Sequence, residues 1–272
     1  MFKLDPRFLL PACLALLISS PVLAGAQPDL VDACRGFGPQ TPRDIDAKQG
    51  ENLRIFSLAP SSEQMNLCNI HFHKHAEHKG AAFSIPAGDG DDHGVGGGFK
   101  CAMGEELSDA EKAPYQADAC HGLKPGDTLE VHWVHSSCDI EPGPTLGSCL
   151  DAERCFNPQL RVETQVFVLV NDRNAANFAD FDFEAVPGAP YRQPKALPTG
   201  TGDPVLFTGS TTGPSFNEVC SPFQVTWSVR PQCAKLDIAS VAEWCKDNVF
   251  DEDHAHGVRK LVTDPALLSK IP

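Results

Sequence analysis

Ten cysteines are spread through this chain beyond its first thirty residues: Cys34, Cys68, Cys101, Cys120, Cys138, Cys149, Cys155, Cys220, Cys233 and Cys245. The number is even and no two form a CxxC pair. In an exported chain such a set reads as disulfides, not as a Cys-rich zinc ribbon or a thiol redox centre. Export is what the N-terminus suggests. Lys3 and Arg7 precede an apolar stretch over 8–20, and Ala24-Gly25-Ala26 supplies small residues for cleavage before Gln27. The expected organisation is a signal peptide, 1–26, removed together with Cys13, and one domain, 27–272, in the periplasm or secreted. The apolar run is short and broken by Pro11 and Pro21, so no membrane association is expected after cleavage. A formal net charge of -14 argues against a nucleic-acid partner, which calls for a basic face.

Short segments rich in β-branched and aromatic residues, bounded by Gly, Pro, Asn or Asp, predict strands over 53–58, 67–73, 128–135, 160–170, 204–207 and 223–229. Helical signals are few. Ser108 and Glu111 form a capping-box pattern over 108–112, apolar residues recur at helical spacing over 238–250, and 266–271 suggests a final turn. The Gly-rich stretch 88–98 lacks the Gly-Lys-Ser/Thr of a phosphate loop and reads as a loop insertion. The balance is a mainly β single domain with small helices.

Two of these strands carry histidines. Strand alternation puts His71 and His73 on one face, and His132 on a second strand offers a third nitrogen. Three imidazoles with an open fourth position suit a catalytic zinc ion. Strand histidines also simply pack or hydrogen-bond, and spacing alone does not separate the two readings.

The surrounding residues add a resemblance. Ile70-His71-Phe72-His73, followed by Glu77-His78, resembles the core motif of carbonic anhydrases. Glu130-Val131-His132-Trp133-Val134-His135 resembles the alpha-class strand that supplies the third ligand. Phe207-Thr208-Gly209-Ser210-Thr211-Thr212-Gly213-Pro214 resembles that class's Thr-Thr turn, and Val225-Thr226-Trp227-Ser228-Val229 the strand after it. The order along the chain is the family's order. The long stretch between His73 and His132, the cysteine content and the 88–101 insertion are more similar to the delta class. The resemblance covers roughly 50–230.

The resemblance implies a single domain around a large, mostly antiparallel twisted sheet, as in the alpha class. It implies Zn2+ on His71, His73 and His132, with CO2 and bicarbonate as the small-molecule partners. A zinc-bound hydroxide would hydrate CO2 reversibly, because three neutral ligands let the metal lower the pKa of water from about 15.7 to about 7. Glu130 would orient a ligand histidine, and Glu77 would accept a hydrogen bond from the threonine that aims the hydroxide. Thr211 is the first choice for that threonine. Thr212 competes with it, because the turn is one residue shorter here. His78 and His135 would be structural support. No histidine precedes His71 as a proton shuttle, which leaves His75 and His93, while His254-Ala255-His256 reads as a solvated tail. Cys34 and Cys220 are placed to resemble a disulfide of bacterial alpha-class enzymes. Cys101–Cys120 and a pair among Cys138, Cys149 and Cys155 are sequence-local expectations. The alternative reading is a non-catalytic exported zinc-binding protein with the same fold.

Overall fold

The computed structural model describes residues 34, 36–91, 95–151, 153, 155–211, 220–259 and 261–272. The expected signal peptide, His93 and Thr212 lie outside them. Eleven strands follow in order: β1 (Asn66–Lys74), β2 (Ile85–Pro86), β3 (Phe99–Lys100), β4 (Thr128–Ser136), β5 (Leu160–Val170), β6 (Phe183–Glu184), β7 (Gln193–Pro194), β8 (Val205–Ser210), β9 (Gln224–Val229), β10 (Ala234–Asp237) and β11 (His256–Gly257). Seven form one sheet in the order β11-β1-β4-β5-β9-β8, with β10 also on β5. The protein is therefore mainly β, as expected, but the sheet is mixed and not mostly antiparallel. β1–β4, β4–β5 and β8–β9 are antiparallel, whereas β11–β1, β5–β9 and β5–β10 are parallel. The eleven-residue β5 is long enough to take two parallel neighbours in succession, β9 along Leu160–Thr164 and β10 along Phe167–Val170.

Alternation divides the core between the two faces of this sheet. Ile70, Phe72, Val131, Trp133, Phe167 and Leu169 point to one face. There they meet α1 (Ile238–Trp244), which buries Ile238, Val241 and Trp244. Val134, Val162, Val166, Val225, Trp227 and Val229 point to the other face, the one that carries the histidines.

Several expectations change in physically readable ways. Residues 53–58 form no strand. The Asn52 side chain accepts the Arg54 N–H and the Asn52 N–H bonds to Leu268 O, so the backbone turns from the sheet and leaves Leu53 and Ile55 exposed. α1 stops at Trp244, well short of 250, because the Asn248 side chain takes the N–H groups of Phe250 and Glu252. The Ser108–Glu111 pair is reciprocal, each side chain accepting the other's backbone N–H. The final turn is a 3-10 turn at Pro265–Leu267.

The ten cysteines form five disulfides: Cys34–Cys220, Cys68–Cys149, Cys101–Cys233, Cys120–Cys245 and Cys138–Cys155. The expected Cys101–Cys120 pair does not form, because the sheet itself separates them. Cys101 packs in the core of the histidine face and Cys120 in the core of the opposite one. Among the described residues no helix is long and apolar enough to cross a membrane.

His135 is fully buried on β4, with its Nδ1 3.1 Å from Trp133 O, and burial lowers its imidazole to about 4. The unfolded chain takes up that proton near pH 6.5 and the folded protein only near pH 4. Stability is therefore present above pH 6.5 and drains away as the pH falls to 4, by about 3 kcal/mol from this group. Urea unfolding of wild type and His135→Gln across this range is expected to show a shallower decline in the variant. Parallel curves would contradict the assignment.

Candidate metal centre

Antiparallel register sets the centre. β1 and β4 pair so that His71 faces His132 and His73 faces Glu130. One ring nitrogen from each of His71, His73 and His132 lies within 4.8 Å of one from each of the others. The hydrogen bonds around the rings decide which nitrogens carry protons. Asn69 Nδ2 donates to Gly143 O at 3.0 Å, so its Oδ1, 2.7 Å from His71 Nδ1, must accept a proton there. His73 Nδ1 lies 3.4 Å from Glu77 Oε1, and His132 Nε2 lies 3.8 Å from Glu130 Oε1. Each carboxylate favours a proton on the nitrogen that faces it. The lone pairs left over are Nε2 of His71, Nε2 of His73 and Nδ1 of His132.

That pattern fits a cation. His71 Nε2 and His132 Nδ1 are 3.2 Å apart, and two lone pairs at that distance repel unless something positive lies between them. Burial, followed by the neighbouring His132, His73 and His256, holds His71 well below its ordinary value. Burial lowers His73 to about 4 against the opposing pull of Glu77. His71 and His73 are thus neutral nitrogen donors, and together with His132 the set suits zinc.

Outer groups hold the ligands in place. Fully buried Glu130 accepts the Glu77 N–H and, at 2.8 Å, bonds to His78 Nδ1, while the His78 ring packs 4.8 Å from that of Trp227. Burial alone would raise the Glu130 carboxyl, but His78 and His132 outweigh it and hold it below the usual carboxylate range. Glu77 is buried too, with no hydrogen-bond partner for either oxygen among the described residues. Thr211 closes β8 and lines a cavity with His71, His132, Val134, Val162, Val225 and Trp227. Its hydroxyl bonds to Ser221 Oγ at 2.7 Å, not to Glu77. The expected Thr211–Glu77 contact is therefore absent, and neither Glu77 oxygen has a hydrogen-bond partner among the described residues.

Other residues stand differently from expectation. His75 turns away at a φ of 72° and its Nδ1 bonds to Gly97 O at 2.9 Å. The C-terminal run is exposed but is not a free tail. His256 pairs with His73 through β11, and its ring centroid lies 6.0 Å from those of His71 and His73. Asn69 was not singled out in the sequence, and His256 was read there only as part of a tail. Asn69 was within reach, since it precedes His71 by two residues, the spacing that picked out Glu130 ahead of His132.

The delta carbonic anhydrase family model matches residues 62–240, well over half of the chain. No curated protein matches. Among solved structures, an alpha-carbonic anhydrase from Thermovibrio ammonificans, in complex with the inhibitor sulfanilamide, is 18% identical. The match covers 82% of this chain and 84% of that one, at a TM-score of 0.28. The alpha-carbonic anhydrase of Photobacterium profundum is 16% identical over 85% and 89% of the two chains, at a TM-score of 0.28.

Proposed function

The chain belongs to the delta carbonic anhydrase family, and from that premise we propose that it reversibly hydrates CO2 to bicarbonate and a proton at a zinc ion held by His71, His73 and His132. The observation that carries the proposal is the convergence of three imidazole nitrogens, with His71 and His132 at the wall of a cavity otherwise lined by Thr211 and apolar side chains. When bound there, zinc would supply a Lewis acid strong enough to bring the pKa of water down to about 7.

The chain's own residues do the rest. Asn69, Glu77 and Glu130 keep protons on the outward nitrogens, so the inward ones stay free for the metal. Val134, Val162, Val225 and Trp227 give CO2, an apolar molecule, a surface that water does not compete for. Thr211 brings a hydroxyl to the cavity wall in an orientation set by Ser221, and this is the group we assign to aiming the attacking oxygen, with Thr212 as the alternative. His78 braces Glu130. His75 and His93 are the proposed proton carriers. Five disulfides suit an oxidising compartment and support a periplasmic or secreted location.

Stopped-flow CO2 hydration and metal analysis on one sample test the reading. One zinc per chain and a hydration rate that vanishes on chelation and returns with zinc are expected. Stoichiometric zinc without hydration would overturn it in favour of a non-catalytic zinc-binding protein.

A further inference from the structure

At the end of the β8–β9 ladder one buried side chain grips both strands of the turn region. Gln40 is buried, and its amide uses both donors and both acceptor positions. Its Nε2 donates to Gly38 O at 2.7 Å and to Ser221 O at 3.2 Å. Its Oε1 accepts the Ser221 N–H at 3.0 Å and the Ser210 hydroxyl at 3.2 Å. Against Ser221 the amide behaves as a length of strand, giving the backbone N–H an acceptor and the backbone C=O a donor.

The rest of the fold fixes Gln40 itself. Its backbone N–H donates to Leu267 O at 2.8 Å. Gly38 lies so close to Phe56 that a Cβ on it would fall 1.8 Å from that ring, so the carbonyl that anchors Nε2 sits where only glycine fits. Cys34 is bonded to Cys220, the residue before Ser221. The segment that carries Gln40 and the one that carries Ser221 are therefore tied together twice, by the disulfide and by the amide. Both serines that Gln40 grips adjoin Thr211. Ser210 precedes it on β8, and the Ser221 hydroxyl shares a 2.7 Å hydrogen bond with the Thr211 hydroxyl. Thr211 in turn lines the cavity with His71, His132 and Trp227.

We propose that Gln40 is a positioning residue for Thr211: by clamping Ser221 it fixes the hydroxyl that Thr211 presents to the cavity. The proposal rests on the reading that Thr211 aims the attacking oxygen. Without the amide, the Ser221 N–H and C=O lose their buried partners and the residue must move to find others. Its hydroxyl then leaves the place where Thr211 meets it. Gln40 lies outside residues 62–240, so the family match assigns it nothing.

Gln40→Met keeps the length of the side chain and removes its hydrogen bonds. At full zinc occupancy it is expected to lower kcat/KM for CO2 by about 10–100-fold through a misplaced hydroxyl. Zinc affinity should stay that of wild type, because the hydrogen bonds of Gln40 go to none of the three histidines. In a Thr211→Ala background the same change is expected to cost no further activity, a result that a general loss of packing would not give. On metal-free protein, amide hydrogen exchange at Ser221 is expected to quicken by about 10-fold or more in Gln40→Met. An undiminished loss of kcat/KM in the Thr211→Ala background would overturn the proposal. So would wild-type exchange at Ser221, or wild-type kcat/KM, in Gln40→Met. Should Gln40→Met not fold, Gln40→Asn, whose amide is too short to reach Ser221, takes its place in the same measurements. Failure of both to fold would overturn the proposal by making Gln40 a requirement of the fold. A wild type that hydrates no CO2, or a Thr211→Ala variant as active as wild type, overturns the reading beneath the proposal and leaves the metal-free exchange to decide whether Gln40 holds Ser221.

Discussion

His132→Ala is expected to leave a folded protein that no longer retains zinc and no longer hydrates CO2. The argument for folding comes from Glu130. Removing the imidazole takes one neighbour from that buried carboxylate, but the Glu77 N–H and His78 still satisfy it. The argument for metal loss comes from the lone pairs. His132 Nδ1 faces His71 Nε2 at 3.2 Å, and without it two nitrogens remain, too few for a tetrahedral zinc site. Loss of an outer-sphere partner of a ligand typically weakens zinc binding 10–100-fold, so loss of the ligand itself is expected to exceed about 100-fold. Hydration should fall to the level of metal-free wild type. Metal analysis after dialysis, circular dichroism and the hydration assay together read all three statements. A variant that keeps both zinc and full activity would sink the three-histidine centre.

Glu130→Gln is expected to damage stability and metal binding together. Glu130 receives the Glu77 N–H on one oxygen and His78 on the other, with His132 3.8 Å away. An amide keeps one acceptor and replaces the second with a donor. Either the Glu77 N–H or the His78 ring then meets an NH2 group at a site with no water to turn to. Breaking such a buried charged network costs about 3–5 kcal/mol. The zinc affinity should fall about 10–100-fold, because the proton on His132 Nε2 loses its acceptor. The effect also has a pH signature. Because the folded-state carboxyl lies below its usual range, its stabilisation is complete above the unfolded value near 4.3 and drains away only as the pH falls below it. Wild type and variant should therefore differ most at neutral pH and converge in acid. Urea unfolding at pH 7 and pH 3, with zinc titrations at pH 7, would show this. An unchanged zinc affinity would remove Glu130 from the centre.

The parts legible in the sequence were those governed by local rules. Alternation along two strands put His71 and His73 on one face and Glu130 beside His132, and the structure adds that His71 and His132 are register partners. β5 was predicted to its ends, since Leu160–Val170 is rich in β-branched residues. Features that depend on distant partners were not legible. Cys101 and Cys120 are close in sequence, yet the sheet that separates them is built by strands on both sides of that stretch. β10 and β11 have four and two residues, and they are strands because β5 and β1 offer open edges, not because their own residues favour it.

That short pairing also bears on solubility. Without β11, the nine-residue β1 would be an edge strand, with a row of bare N–H and C=O groups beside two exposed imidazole edges. Open edges recruit other strands. Here His256 and Gly257 cover the far end of β1, and the buried Glu252 carboxylate takes the Phe72 N–H at 3.0 Å. The C-terminal segment thus occupies part of an edge that another strand could otherwise pair with. A chain cut back to the 62–240 stretch matched by the family would keep His71, His73 and His132 and lose the cover on this edge.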